Sequence, residues 1–479
     1  MKSFMLLILL AMLTGITLTG CDQKAATAAA TATAKTYDLT IWETYNIAEH
    51  ELFLDQLAGF QKWYQAKTGN RVAVKAYRVP FDDLETNVRL AALGRKTPDI
   101  ARFDALKVLE LAYHQVLLPL DMLPNFDAPS IEAKRKQYIP GAFDTNVINI
   151  EGQSHLYGLP EQVTCLALFW NRTMFKRASA ELIAQNLDPK AAPRTWDELV
   201  AYAKVLTQVN PQNPSDNQYG FAMNNSLWWT LPYFGCYGVS YIGVDSQGNK
   251  TCLLGDARST AAFQLKVDLT RKYGVEAGAW QPGAVGHDVG FQNEKYAMLL
   301  MGPWNIQTFR NAKLDFGIAL IPRISKTEAI RVGMITPDAS DDEYRSKALP
   351  ATNIGGSNLV IFKTCQYPEV AYELVNYLAS KEAQLSWCRK LKQIPVNAEA
   401  AKILSQDPET DPDLAVFMEQ ALYATAPPLL PRYGYVENDL VNTEMELALK
   451  GEKDVQKALQ DSARKINEQI LSLLSRKGK

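Results

Sequence analysis

The chain has 479 residues, 47% of them hydrophobic, which is more apolar material than one small core can use and points to two domains. Charged residues make up 21% and the formal net charge is −2, so the chain lacks the basic excess of a nucleic-acid binder. So balanced a charge suits a soluble globular surface and leaves room for a neutral ligand.

Lys2 and the apolar run from Phe4 to Leu18 have the order of a signal peptide, with an apolar stretch too short to span a bilayer. The run ends in Leu18-Thr19-Gly20-Cys21, which resembles a bacterial lipobox. Residues 1–20 are therefore predicted to be the lipoprotein signal peptide and Cys21 the acylated (palmitate-bearing) mature terminus. Asp22 in second place resembles a signal to stay at the inner membrane in enteric-type Gram-negative bacteria. Residues 21–36 carry no large apolar side chain after the Cys and read as a flexible tether.

Strand and helix signals then alternate. Tyr37 to Trp42 is a predicted strand, Ala48 to Ala66 a helix stopped at Gly69, and Arg71 to Tyr77 a second strand. Phe81 to Leu93 is helical, Pro98 to Phe103 a short strand, and Asp104 to Tyr113 a helix with Asp104 as a candidate N-cap. This order implies parallel pairing in an α/β lobe. Val163 to Trp170 reads as one buried strand, and Thr195 with Glu198 forms a capping box that starts a helix over Trp196 to Leu206. Tyr219 to Met223, Tyr296 to Met301, Asp315 to Ile321 and Leu359 to Phe362 are further strands. After Tyr367 the chain is mostly helical, broken at the Pro-rich 426–431.

Catalytic signatures are absent: there is no P-loop, GxSxG, HExxH or GxGxxG, and no His stands at metal-ligand spacing from a Cys. No enzyme activity, cofactor or metal is expected. Five cysteines follow Cys21; Cys236 and Cys252 flank a turn and are a candidate disulfide in an exported protein.

Several segments taken in order resemble the extracellular solute-binding proteins of ABC importers, in the carbohydrate-binding family that includes the maltose-binding proteins. They are Leu39-Thr40-Ile41-Trp42, Leu90 to Gly94 through Thr97-Pro98-Asp99-Ile100, Tyr157-Gly158-Leu159-Pro160, Phe169 to Phe175, Pro193 to Leu199, Tyr296-Ala297-Met298 before Gly302-Pro303-Trp304, and Phe316 to Pro322. The resemblance implies two α/β lobes, each a mixed, mostly parallel sheet flanked by helices, joined by crossing strands with a ligand cleft between. Carried over, lobe I is 37–163 and 320–392, and lobe II is 168–316 and 396–479. It also implies a monomer that binds a neutral sugar or oligosaccharide by lobe closure and delivers it to ABC permease subunits in the membrane. Its place would be the periplasmic face of the inner membrane, or the outer surface of a Gram-positive cell. A lipid-anchored glycan-processing enzyme and a sugar sensor feeding a receptor are the alternatives.

Sugars present apolar C–H faces and hydroxyl edges, so their sites combine aromatic platforms with carboxylates, amides or Arg. Nine Trp are available. Trp42, Glu43, Tyr45 and Asn46 end or follow the first strand, and Asp104 follows the third, where α/β sites open. Glu161 and Gln162 open the crossing strand. Trp228 and Trp229 are adjacent on a helix, about 100° apart, so at least one packs inward. The family's counterpart of Trp304 lies on the sugar. Gly355 and Gly356 allow close backbone approach, and Arg432 and Tyr433 follow the Pro-rich break. Trp63, Trp196 and Trp387 are assigned to packing or surface.

Overall fold

The computed structural model describes residues 34–472 except Glu151, Ala277 and Pro428. The signal peptide, Cys21 and nearly all of the tether lie outside the described residues. Eight strands build the frame: Thr36–Glu43 (β1), Arg71–Arg78 (β2), Ile100–Asp104 (β3), Gly158–Thr164 (β4), Ala167–Asn171 (β5), Met298–Met301 (β6), Phe316–Ala319 (β7) and Gly355–Ile361 (β8). Four helices matter for the site: Ile47–Thr68 (α1), Phe81–Leu93 (α2), Leu227–Cys236 (α3) and Ala257–Arg271 (α4).

The first sheet has the order β2-β1-β3-β8-β4. β1 pairs in parallel with β2 and β3, while β8 runs antiparallel to both β3 and β4. Four strands thus point one way and β8 the other. The second sheet, β6-β5-β7, has β5 antiparallel to both neighbours. Parallel bridges Ala222↔Leu299 and Phe221↔Glu276 extend it. The first sheet is therefore mixed, with one reversed strand, whereas the three strands of the second pair antiparallel and only the flanking bridges are parallel.

Local chemistry fixes the ends of α1. Asn46 accepts from Glu49 N, Glu49 returns a carboxylate to Asn46 N, and Gly69 closes the helix at φ +74. Its buried Leu52, Phe53, Leu57, Phe60 and Tyr64 recur at helical spacing and face the sheet. In β5 the period is two. Leu168 and Trp170 join the core of the second half, while Ala167 and Phe169 join a core that also holds α1 and the helices over Pro368–Leu391. One strand thus feeds two interiors. The described residues from Thr36 onward make one compact unit.

Several expectations change. The strand foreseen over 163–170 is two strands, because the chain passes from one sheet to the other at Cys165–Leu166; there Leu166 N donates to Thr352 Oγ1 (3.1 Å), which donates back to Leu166 O (3.0 Å). The helix foreseen from Asp104 begins at Val108; Asp104 ends β3 and accepts from Leu106 N in a tight turn. Residues 219–223 form only single bridges. Residues 320–351 were grouped with the first lobe, yet Ile321, Ile324, Ala329, Ile335 and Ala351 pack in the second core. Residues 396–421 were grouped with the second lobe. Instead Leu404, Leu414 and Phe417 share the core of the first-half helices and Phe169. The disulfide is not formed: Cys236 and Cys252 are free buried thiols, and Cys236 Sγ approaches Pro322 O (3.6 Å) and Ala351 O (3.8 Å).

Candidate functional site

A cavity of about 1000 Å³ opens between the halves at the C-terminal ends of β1 and β3. The first half contributes Thr44, Asn46 and Glu49 after β1, Glu85 and Arg89 of α2, Arg102, Asp104 and Lys107 at the end of β3, Gln162 and Thr164 of β4, and Gly355 to Ser357. The second half contributes Asn224, Ser226, Trp228, Trp229, Asp288, Trp304 and the segment 432–439.

Trp228 and Trp229 open α3, and three of the N–H groups that a helix leaves free at its start are taken here by side chains. Leu227 N donates to Asn442 Oδ1 (2.8 Å), Trp228 N to Glu437 Oε1 (2.9 Å) and Trp229 N to Ser226 Oγ (3.4 Å). The two indoles stand at 86° with centroids 5.2 Å apart. Trp304 completes the group at 6.2 Å from Trp228 and 6.1 Å from Trp229. It folds back over Gly302, where a Cβ would lie 1.8 Å from the ring. All three indoles are half-buried. They form an apolar, π-rich wall.

The opposite wall is polar and closed on itself. Arg102 donates from Nε to Glu161 Oε2 (2.8 Å), from Nη1 to Thr44 Oγ1 (2.6 Å) and from Nη2 to Gln162 Oε1 (2.5 Å). Gln162 Nε2 donates to Glu49 Oε1 (3.1 Å) and Gln393 Oε1 (2.7 Å), and Gln393 Nε2 donates to Glu49 Oε1 (2.7 Å). The guanidinium lies 4.4 Å from the Tyr45 ring centroid. Burial pushes the Glu161 carboxyl up, and Arg102 pulls it back toward the charged form. A network satisfied this fully is rigid.

A second polar group joins the halves. Lys107 pairs with Glu85 at 2.9 Å, and Asp104 and Glu437 act on each other electrostatically. Burial pushes both of those carboxyls up. The Tyr433 hydroxyl is buried without a protein partner beside them. A Cβ on Gly434 would lie 3.0 Å from Glu85, and one on Gly355 would lie 2.7 Å from Trp228 Nε1. The halves thus touch across the cleft, and Asn46 Nδ2 donates to Trp304 O (3.0 Å). Acidic side chains on the cleft wall outnumber basic ones two to one.

Of the candidate residues, Asn46, Asp104, Gln162, Trp228, Trp229, Trp304, Gly355, Gly356, Arg432 and Tyr433 lie on this wall. Trp42, Glu43, Tyr45 and Glu161 do not. Trp42 packs on the far face of the first sheet. Glu43 is fully buried, accepts from Tyr45 N (2.7 Å) and lies 2.6 Å from His50 Nδ1. Tyr45 is wedged between Phe53 and Trp387, and Glu161 is consumed by Arg102. The sequence reading missed Thr44, Glu49, Glu85, Arg102, Lys107 and Glu437. Arg102 alone left a signal: one charge inside the otherwise apolar start of β3 (Ile100-Ala101-Arg102-Phe103). Among the described residues no group of three or more His, Cys, Asp or Glu could hold a metal ion.

A sequence profile of the bacterial extracellular solute-binding proteins matches residues 60–416. The galactooligosaccharide-binding protein of Bacillus subtilis is 21% identical over 95% of this chain and 94% of its own length. The maltooligosaccharide ABC transporter solute-binding lipoprotein of Streptococcus pneumoniae R6 is 23% identical over 66% of each chain. Among solved structures, the GacH receptor of Streptomyces glaucescens superposes with a TM-score of 0.71 at 21% identity, covering 91% of this chain and 98% of its own. The maltose/maltodextrin-binding domain of Bdellovibrio bacteriovorus gives 0.69 at 20% identity, covering 90% and 99%. At these identities the superpositions speak for the fold, two lobes around a cleft.

Proposed function

Because the chain belongs to the bacterial extracellular solute-binding proteins, we propose that it binds a neutral sugar in this cleft by lobe closure and hands it to an ABC permease. It is a binding protein and not an enzyme. The observation that carries the ligand class is the pairing of a three-indole wall with a polar wall around about 1000 Å³ of space. That volume stands at the top of the ordinary range for small-ligand pockets, about 300–1,000 Å³, and suits an oligosaccharide better than a single ring. The acidic excess of the wall disfavours a phosphorylated or carboxylated guest.

In this reading Trp228, Trp229 and Trp304 take the apolar faces of the sugar. Asp104, Glu437, Arg432 and the Tyr433 hydroxyl take its hydroxyl edges, while Gln162, committed to Arg102, Glu49 and Gln393, shapes the wall behind them. Gly355 and Gly356 leave room for the approach. The hinge lies where the chain crosses between the halves, at residues 164–167, at 351–355 and after Ala421, where Ala424 and Thr425 pair with Thr352 and Asn353, and ligand contacts to both walls favour the closed state. The protein acts as a monomer held to the membrane by acyl chains on Cys21.

A thermal-shift screen of malto-, galacto- and manno-oligosaccharides of one to five units, followed by calorimetry, tests the ligand class. Several degrees of stabilisation by one series and none by sugar phosphates is expected. No shift with any saccharide overturns it. Cys21→Ser is expected to abolish labelling by radioactive palmitate and release the protein from membranes; unchanged labelling overturns the anchor.

A further inference from the structure

Beneath the tryptophan wall, α4 carries Lys266, a lysine with no exposed surface at all. Burying an ammonium is costly unless its hydrogen-bonding capacity is met, and a core position asks for Met or Leu instead. Lys266 Nζ donates to Thr230 Oγ1 (2.7 Å) and Asn225 Oδ1 (3.2 Å). Thr230 Oγ1 donates its own hydrogen bond to Ser226 O (2.6 Å), and Ser226 is the N-cap of α3. Both acceptors therefore belong to the short segment that holds Trp228 and Trp229. Thr230 is fully buried, so no water replaces the lysine there.

We infer that Lys266 is a positioning residue for the tryptophan wall, and that ligand affinity depends on whether its amine carries a proton. The inference rests on the reading that this cleft binds a sugar.

The surroundings make the proton removable near neutrality. Burial pushes the Lys266 ammonium down to about 7, against the pull of Glu276. Glu276 is not a direct partner; it accepts from Gly278 N (2.8 Å), Met223 N (3.3 Å) and Trp280 Nε1 (3.2 Å). The third neighbour is the Tyr233 ring, its centroid 5.6 Å away. The C-terminal helices on the other side of α4 carry Glu444 and Lys465, which are paired with each other. Protonated, Lys266 makes two charge-assisted hydrogen bonds to the segment; neutral, it makes ordinary ones of about half the strength.

Two opposite pH dependences follow. The folded-state pKa lies below the unfolded value of 10.5, so between the two the unfolded chain holds a proton that the folded chain has lost. The contribution to stability therefore rises as pH climbs from about 7. Ligand affinity moves the other way, because deprotonation loosens the wall; by reciprocity, ligand binding raises the affinity of Lys266 for its proton. A residue that only fills space gives neither trend, and one that only affects folding gives the first alone.

The test is calorimetry of the full chain with maltotriose, or with the saccharide of largest thermal shift if maltotriose does not bind, at pH 6, 7, 8 and 9, beside urea unfolding at the same pH values. Wild type is expected to lose about fivefold in affinity from pH 6 to 9, the size of one weakened charged hydrogen bond, while its unfolding midpoint rises. Lys266→Met removes both trends. Thr230→Val, which keeps the lysine, removes the affinity trend and serves if the first variant does not fold. His287, 5.0 Å from Trp229, is held below its ordinary 6.5 by burial and is already neutral over most of this window. A wild-type affinity that is flat over the window, or a Thr230→Val profile identical to wild type, overturns the inference and leaves the sugar reading standing. No saccharide binding at any pH overturns both.

Discussion

The two walls of the cleft solve opposite problems. On the side of β1, β3 and β4 the polar groups have already found one another: Arg102, Glu161, Gln162, Glu49 and Gln393 form a closed set. On the side of α3 and Trp304 three indoles lie half-buried, with no protein surface covering their outer parts. The difference teaches that chemistry suited to a ligand is not the same as availability. A carboxylate or guanidinium that is bonded on every side sets the shape of a wall, whereas an uncovered ring is free to bind.

The largest break in this comparison is Arg102→Met. It leaves Glu161 buried without its partner and should cost about 3–5 kcal/mol of stability in urea unfolding; a cost under about 1 kcal/mol would mean that the network is not what holds this wall. Next is Trp304→Ala, which should weaken ligand binding by about 2–4 kcal/mol in calorimetry, as a central aromatic contact does, with circular dichroism unchanged. Gly355→Ala sharpens the comparison at the point where the walls meet. A methyl 2.7 Å from Trp228 Nε1 should hinder closure and weaken affinity roughly tenfold, within the about 1–3 kcal/mol of overpacking. The smallest effect belongs to Asn46→Ala. Loss of the α1 cap should lower stability by about 1 kcal/mol while affinity changes less than about twofold. A large affinity loss would show that Asn46 serves the ligand directly.

Much of the frame was legible in the sequence. Alternation marked β2, and the helix expected over Phe81 to Leu93 is α2 with the same bounds. Trp304 was legible because Gly302-Pro303 forces a turn after a buried strand. What stayed hidden was direction and destination. Trp42 and Glu43 end a strand at the right edge of the sheet, yet period two sends Trp42 to the far face and hands Glu43 to His50. Residues 320–351 are apolar in a way that fits either core, and only three-dimensional closeness assigns Ile321 and Ile324 to the second. Glu437 lies on an irregular helical stretch after a Pro-rich break, where neither period applies.

β5 carries a consequence for how this molecule can change. Its odd and even positions are pledged to different interiors, so losing a single residue there would send Phe169 toward the indole side and Trp170 toward the phenylalanine cluster at once. Neither half would keep a proper filling, and neither could act as a template for the other. Evolution can therefore edit the loops of each half separately, but at this strand an insertion or deletion must be answered in both halves together.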